Sequence, residues 1–388
     1  MRTAITLLII LSRLIAGFVF IFSGFVKAVD PLGSTYKFID YFNAFNMSWL
    51  EPAAFSMALV LSAAEFTIGV CLILFIQNKC ANWGALIFMA FFTPLTFWLA
   101  LTDPVHDCGC FGDAIILTNW QTFFKNLAIL TAAIISFKYR NAVIRWIKLK
   151  TERKVSIIIV LLITGFSLYN YYDLPIIDFR PYKIGTNIPE KMKTPKGTPA
   201  HVYEQYFTLM DTINMKMIEI ESQAYMADST YWGTNSNWKF VKSGEPKLIK
   251  QGYQPPIHDF SIESISGLDI TQEILTDTGY YFIVIAYDLK KSRTKHQTAI
   301  NLLYDQATAD GHKFIGLTSS DSEKISALKN TWNIGYEFYL TDPITLKTIV
   351  RANPGLIILH KGTIVAKWNV NSLPSYQSIK SKYLNVKS

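Results

Sequence analysis

The residues best suited to chemistry are Cys108 and Cys110, in the segment Asp103-Pro-Val-His-Asp-Cys-Gly-Cys-Phe-Gly-Asp113. One glycine separates them, and glycine best accepts the tight turn that such a pair would need. A disulfide between them would close a very small ring, strained and easily reduced, which suits redox exchange better than stapling. His106 is placed to stabilise a thiolate, with Asp103 and Asp107 opposing that effect. Cys108, Cys110 and His106 could equally hold a thiophilic metal such as copper or zinc, but no fourth ligand is evident and no metal is assigned. A third reading leaves both cysteines inert in a loop that only shapes the turn.

The other two cysteines, Cys71 and Cys80, fall on the opposite side of the same apolar region. Two thiol pairs on opposite faces would resemble an electron relay, yet nothing supplies a carrier between them, and cysteine is also a common small apolar helix residue. Beyond residue 110 the chain has no cysteine, which excludes a disulfide-stapled secreted scaffold.

These residues must be positioned by membrane helices. Residues 1–155 hold long apolar runs whose charges gather in short connectors, whereas charges after residue 155 are dispersed as on a solvated surface. Five spans are expected, near 5–26, 53–76, 83–101, 120–137 and 155–172. The first is too long for a signal-peptide core and lacks a clean cleavage site, so it reads as an uncleaved helix. The connector at 138–154, KYRNAVIRWIKLKTERK, is strongly basic and is expected in the cytoplasm with the N-terminus. Loops 27–52 and 102–119, and everything after residue 172, then face outward. The net charge of +8 is accounted for by this topology, and no basic stripe with interleaved aromatics points to nucleic acid.

Arg13 and Glu65 lie inside spans one and two at similar expected depth. A structural ion pair between them is the natural solution, and a polar element of a quinone or proton site is the functional alternative. Lys27 and Asp30 are expected at the outer interface, where a long side chain reaches water cheaply. Gly17, Gly24, Ala63, Ala64 and Gly69 permit close helix packing.

After the fifth span, residues 173–200 read as a proline-interrupted connector, and 201–250 as a small β-rich module with a hairpin at 201–223. Trp232, Trp238 and Phe240 are expected to pack that module against its neighbour. From 257 onward, strands and helices alternate in the order β-α-β-α-β-β-α, an α/β sandwich. A Walker loop, HExxH motif, serine elbow and EF-hand are all lacking, and no pair of broken-helix repeats suggests transport.

The series Arg13, Gly17, Phe20, Gly24, Lys27, Asp30-Pro31 resembles the first helix of DoxX-like membrane proteins, and DCGCFGD at 107–113 resembles the loop of their MauE-type relatives. The resemblance covers about residues 1–145. It implies a four-helix bundle with a redox or quinone-linked role, Cys108 and Cys110 as redox cysteines, and Arg13 and Glu65 as buried polar positions. The whole arrangement resembles a group of DoxX-like proteins from Bacteroidetes. HDFSI at 258–262 and NPGLIILHKGTIVAKW at 353–368 are similar to thioredoxin-like folds of the peroxiredoxin and thiol-reductase kind, with Pro354 matching a proline that is usually cis. The departure is decisive: where such folds carry their cysteines, this chain has YDLKKSRTKHQTA at 287–299, so that domain cannot exchange disulfides itself. His296 there reads as a surface helix residue.

The expected fold is therefore a membrane four-helix bundle (1–145) and a basic loop with an extra transmembrane helix (146–172). A connector with a β-rich insert (173–252) and a thioredoxin-like α/β domain without CxxC (253–388) follow. The expected function is an inner-membrane, periplasm-facing redox-associated protein handling electrons or disulfides through the Cys108/Cys110 loop, with quinone as the implied cofactor. The alternative is a non-enzymatic anchor or assembly subunit whose outer domain binds an envelope protein. Expected partners are the lipid bilayer and another envelope protein or membrane complex.

Overall fold

A bilayer core of about 30 Å requires about twenty apolar residues in helical form. In a computed structural model of the chain, four helices among the described residues are long and apolar enough, over Ala4–Val29, Ser48–Ile73, Asn78–Thr102 and Leu149–Tyr172. The structure describes residues 2–105, 107–141, 146–250 and 252–384, without the side chains of Arg2, Thr3 and Leu248. The helices of the apolar region are α1 (Arg2–Val29), α2 (Pro31–Ala44), α3 (Ala54–Ile73), α4 (Asn78–Thr102), α5 (Asn119–Lys138) and α6 (Leu149–Tyr172). Leu7, Phe18, Val60, Ile87 and Leu162 turn outward and are exposed, as lipid-facing residues must be.

The segment expected as a fourth span exists as α5 but is less apolar than the four above, because it carries Gln121, Lys125 and Asn126. Three of its polar side chains are spent on α4. Asn119 donates to Asp103 Oδ1 at 2.8 Å, Asn126 to Thr96 Oγ1 at 3.1 Å, and Ser136 to Asn82 Oδ1 at 2.5 Å. These three bonds run from one end of α4 to the other, so the two helices lie antiparallel along their whole length.

The segment expected as an outward loop at 27–52 is also structured. Asp30 caps α2 by accepting from Gly33 N, and Pro31 occupies the first turn, where its missing N–H costs nothing. A 3-10 turn at Ser48–Ala53 then leads into α3.

Glycines set the register of α1 against α3. A Cβ on Gly69 would lie 2.6 Å from the Gly17 carbonyl oxygen, and one on Gly24 would meet Phe66 N and lie 2.7 Å from the Ser62 oxygen. Only hydrogen fits at these backbone crossings.

By packing, the chain forms two compact units, residues 188–258 and the remainder. The smaller unit contains α7 (Ile188–Met192), β1 (Val202–Glu204), β2 (Tyr206–Asp211), β3 (Met217–Glu221), α8 (Ser222–Ala227), β4 (Trp238–Ser243) and β5 (Lys247–Lys250). Strands order as β3-β2-β4, with β1 pairing β5 separately. Trp232 and Phe240 are largely exposed, and Phe240 meets the Phe207 ring edge-on within the sheet.

In the larger unit, α9 (Thr271–Thr276), β6 (Tyr280–Ile285), α10 (Gln297–Ala309), β7 (Lys313–Thr318), α11 (Ser322–Trp332), β8 (Glu337–Leu340), α12 (Pro343–Ile349), β9 (Gly355–His360), β10 (Thr363–Asn369) and α13 (Tyr376–Ile379) build one α/β layer. Its sheet runs β10-β9-β6-β7-β8, with β6, β7 and β8 parallel and β9 antiparallel to β6. The strand expected at 257–262 does not form; that stretch joins the sheet only through a single bridge from Glu263 to Leu340. The Asn353–Pro354 bond is cis.

Two sets of contacts fix this layer to the helices. Arg351 donates to Asp30 Oδ2 at 2.8 Å and to Asp113 Oδ2 at 3.0 Å, while Arg293 donates to the Tyr171 hydroxyl at 2.8 Å. The Lys367 ammonium is enclosed by Asp178, the Tyr182 carbonyl and the Ile349 carbonyl, which ties the segment after α6 to the sheet. The layer therefore sits at the end of the bundle that carries Asp30, Asp113 and Tyr171.

The glycine crossing makes a stability prediction. Gly24→Ala should lower the thermal midpoint in detergent, because overpacking against backbone costs about 1–3 kcal/mol. Gly165→Ala, whose Cβ meets nothing within 4 Å, should not lower it.

Candidate functional site

The site is assembled from α1, α2, α3, α5 and the loop between α4 and α5. Within that loop, Gly109 has φ of +67° and its amide donates to Asp107 Oδ1 at 2.9 Å. The chain reverses here, and Gly112 N bonds back to the Gly109 carbonyl at 3.1 Å. The reversal brings Cys108 Sγ to 3.0 Å from Cys110 Sγ as free thiols. A Cβ at Gly109 would also press on Lys37 Cγ at 2.9 Å, so glycine is needed there on two grounds.

The turn is held from below by α1. Lys27 Nζ donates to the Cys110 carbonyl at 2.7 Å, to Ser23 Oγ at 2.7 Å and to Glu65 Oε2 at 2.9 Å. Ser23 donates to the same carbonyl at 2.8 Å. From the side, α2 contributes Tyr41, whose hydroxyl donates to the Cys108 carbonyl at 3.0 Å, and Lys37, paired with Asp107 at 2.8 Å.

This arrangement corrects two sequence expectations. Lys27 is 7% exposed, a buried partner of Glu65, and does not snorkel to the interface. Arg13 does not meet Glu65. The glycine register places it at Leu72, seven residues along α3 and thus about 10 Å further down the helix. There its guanidinium donates to the Leu72 carbonyl at 3.0 Å and to Asn78 Oδ1 at 2.7 Å, over the Phe75 ring. Carbonyls left unpaired at a helix C-terminus are natural partners for a cation. His106 lies outside the described residues, as does Arg145 of the basic connector. Cys71 is buried with its sulfur 3.6 Å from Ser156 Oγ, and Cys80 is exposed; both are free. Among the described residues, no three His, Cys, Asp or Glu side chains converge as a metal site.

The two thiols are unequal. Cys108 donates its hydrogen bond to Cys110, which pulls Cys110 down to about 6 despite its burial, with Lys125 and Lys27 adding positive charge nearby. Giving that hydrogen bond, together with burial, pushes Cys108 well above the ordinary thiol value. The pair is thus unequal in proton affinity, Cys110 giving up its proton the more readily, which is the asymmetry that thiol–disulfide chemistry uses.

Below the sulfurs lies a cavity of about 480 Å³ between α1, α2, α3, α4 and α5. Its walls are mainly apolar, with Phe38, Phe42, Leu61 and Phe88 among them, and Lys27, Glu65 and Lys125 supply charge.

Residues 5–138 match the model of the family described as Methylamine utilisation protein MauE. The MauE match takes in α1 to α5 and the whole cysteine loop, and it leaves out α6, the smaller unit and the α/β layer. With its apolar helices, it identifies the chain as a membrane protein. No curated protein and no solved structure matches.

Sequence reasoning missed Lys27, Ser23, Tyr41 and Lys125. The Asp30-Pro31 helix start was a legible signal for α2, and thereby for Tyr41 and Lys37; Lys27 and Lys125 needed the register.

Two measurements follow. Alkylation of Cys110 by a small neutral reagent should reach half its maximal rate near pH 6, well below the pH 8.5 or so of a free thiol, and Lys125→Gln should move that midpoint upward. Glu65→Ala strands a buried ammonium and should cost about 3–5 kcal/mol, whereas the double change Lys27→Met with Glu65→Leu should cost less than the single one, read by unfolding in detergent.

Proposed function

We propose that this protein is a membrane thiol–disulfide redox factor working through Cys108 and Cys110. The observation that carries the reading is the pair of free thiols 3.0 Å apart on a turn pinned by four side chains of α1 and α2. A loop needed only for its shape has no use for two thiols held in contact. Closing the bond requires the sulfurs to approach by about 1 Å.

In this reading five helices cross the bilayer, because α5 runs beside α4 from end to end. The basic connector before α6 stays in the cytoplasm, and the cysteine loop and α/β layer lie across the membrane, on the periplasmic side of a bacterial inner membrane. The sheet order and the strand–helix alternation support a thioredoxin-like lineage for the α/β layer. It has no cysteine of its own. Its role is to hold the loop: Arg351, bonded to Asp113 beyond the turn and to Asp30 beyond α1, joins the layer to both ends of the site.

The test is a redox titration of the intact protein poised with neutral thiol couples, dithiothreitol and 2-mercaptoethanol with their disulfides, with free thiols counted by mass after alkylation. A single two-electron transition confined to Cys108 and Cys110, and abolished by Cys110→Ser, is expected. Full alkylation of both at every potential would rule the reading out, and so would Cys108 modified only from the cytoplasmic face.

A further inference from the structure

The cysteine turn divides two cavities of opposite character. On the side of the α/β layer lies a polar cleft of about 220 Å³ that touches Asp107, Gly109 and Gly112 but neither cysteine. Asp40 on its wall is exposed, so the cleft opens to water. On the other side, Cys108 and Cys110 border the apolar cavity of about 480 Å³. Among the described residues, Ser34, Lys37 and Gly109 alone line both.

Of these three, Ser34 turns its hydroxyl back to the Asp30 carbonyl of its own helix at 3.4 Å, and Gly109 has no side chain. The partition is therefore the side chain of Lys37. Its stem lies so closely on Gly109 that a Cβ there would stand 2.9 Å from Lys37 Cγ and 3.3 Å from Cδ. Its ammonium is pinned by Asp107 Oδ2 at 2.8 Å, while the other oxygen of that carboxylate accepts from Gly109 N at 2.9 Å. The two partners are 32% and 31% exposed. An ion pair so open to solvent is weak, and a lysine stem is flexible. This wall can swing aside and leave the bond from Gly109 to Asp107 in place.

We propose that Lys37 is the gate between water and the sulfurs, and so sets which partners the thiols exchange with; this rests on the thiol-redox reading above. With Lys37 on Gly109, the sulfurs are reached through the apolar cavity alone. With Lys37 swung out, the cleft joins the cavity and a small water-soluble disulfide enters. Cys110, as thiolate, attacks one sulfur of that disulfide: its S–S bond breaks, a mixed disulfide forms and a first thiolate leaves. Cys108 gives its proton to the medium and attacks the Cys110 sulfur, which closes the Cys108–Cys110 disulfide and expels the second thiolate. Two electrons thus pass from the pair to the entering molecule. A cleft of about 220 Å³ admits a molecule of amino-acid size and excludes a folded domain.

The test uses the full chain in phosphatidylcholine nanodiscs and two small methanethiosulfonates, one carrying a sulfonate and one a trimethylammonium group. Neutral N-ethylmaleimide is the reference, and labelling of Cys108 and Cys110 is read by peptide mass. Lys37→Met loses the ion pair and keeps a stem, so both charged reagents should gain up to about fivefold relative to the neutral one. Lys37→Ala should gain more. Lys37→Arg, which keeps the pair, should keep the gate shut. Thr348→Trp, on the far wall of the cleft, should return Lys37→Ala to the wild-type ratio. The gate is overturned, and the thiol reading stands, if Lys37→Ala leaves both ratios unchanged. It is overturned equally if the cationic reagent alone gains, which marks a lost charge and not an opened wall. Failure of Thr348→Trp to restore the ratio also overturns it, because the turn itself has then come loose. Thiols that never oxidise in the neutral couples overturn the redox reading alone, since the gate is read by labelling.

Discussion

The Lys27 ammonium is the constraint on which the site depends. Inside an apolar bundle a charged amine must satisfy every donor, and Lys27 does so with Glu65 from α3, Ser23 one turn back on α1, and the carbonyl of Cys110. Each bond serves a different purpose. The first neutralises the charge, the second fixes the side chain along its own helix, and the third draws the cysteine turn down onto the bundle. Replacing Lys27 by an apolar residue would leave Glu65 without its partner and the Cys110 carbonyl with Ser23 alone, loosening the hold that turns the loop inward.

Much else in the structure prepares that contact. The glycines at 17, 24 and 69 let α1 and α3 approach until Lys27 can reach Glu65. The Asp30 cap starts α2 directly after α1, so that Tyr41 and Lys37 arrive beside the loop. Arg351 then binds Asp30 and Asp113 together; burial opposes its charge, and the two carboxylates more than offset that, raising its proton affinity. The α/β layer, which has no cysteine, is joined by this side chain both to the end of the cysteine loop at Asp113 and to the start of α2 at Asp30.

How much of this the sequence discloses depends on whether the information is local. The apolar runs announce membrane helices, and Cys-Gly-Cys announces a turn, because both are properties of contiguous residues. The strand and helix alternation after residue 279 is legible for the same reason, with Asp321 and Asp342 marking two helix starts. Register is not legible, and relative depth goes with it: Arg13 and Glu65 are expected level, and Arg13 instead meets Leu72, about 10 Å further along α3. Hydropathy places Arg13 and Glu65 within their helices without saying which residues of α1 and α3 face each other, and so it suggests a partnership that the glycine crossing forbids. α5 shows the opposite effect: its Asn119, Asn126 and Ser136 dilute the apolar signal because they serve α4.

The central claim is that Lys27 holds Cys110 toward the apolar cavity and away from water. It is tested most directly by comparing two reagents on the protein in sealed membranes: neutral, lipid-soluble N-ethylmaleimide and a charged methanethiosulfonate applied to either face. The account predicts that Cys110 reacts with the neutral reagent and resists the charged one from both sides, and that Lys27→Met opens it to the charged one. Labelling of wild-type Cys110 by the charged reagent at a rate comparable to the neutral one would contradict it.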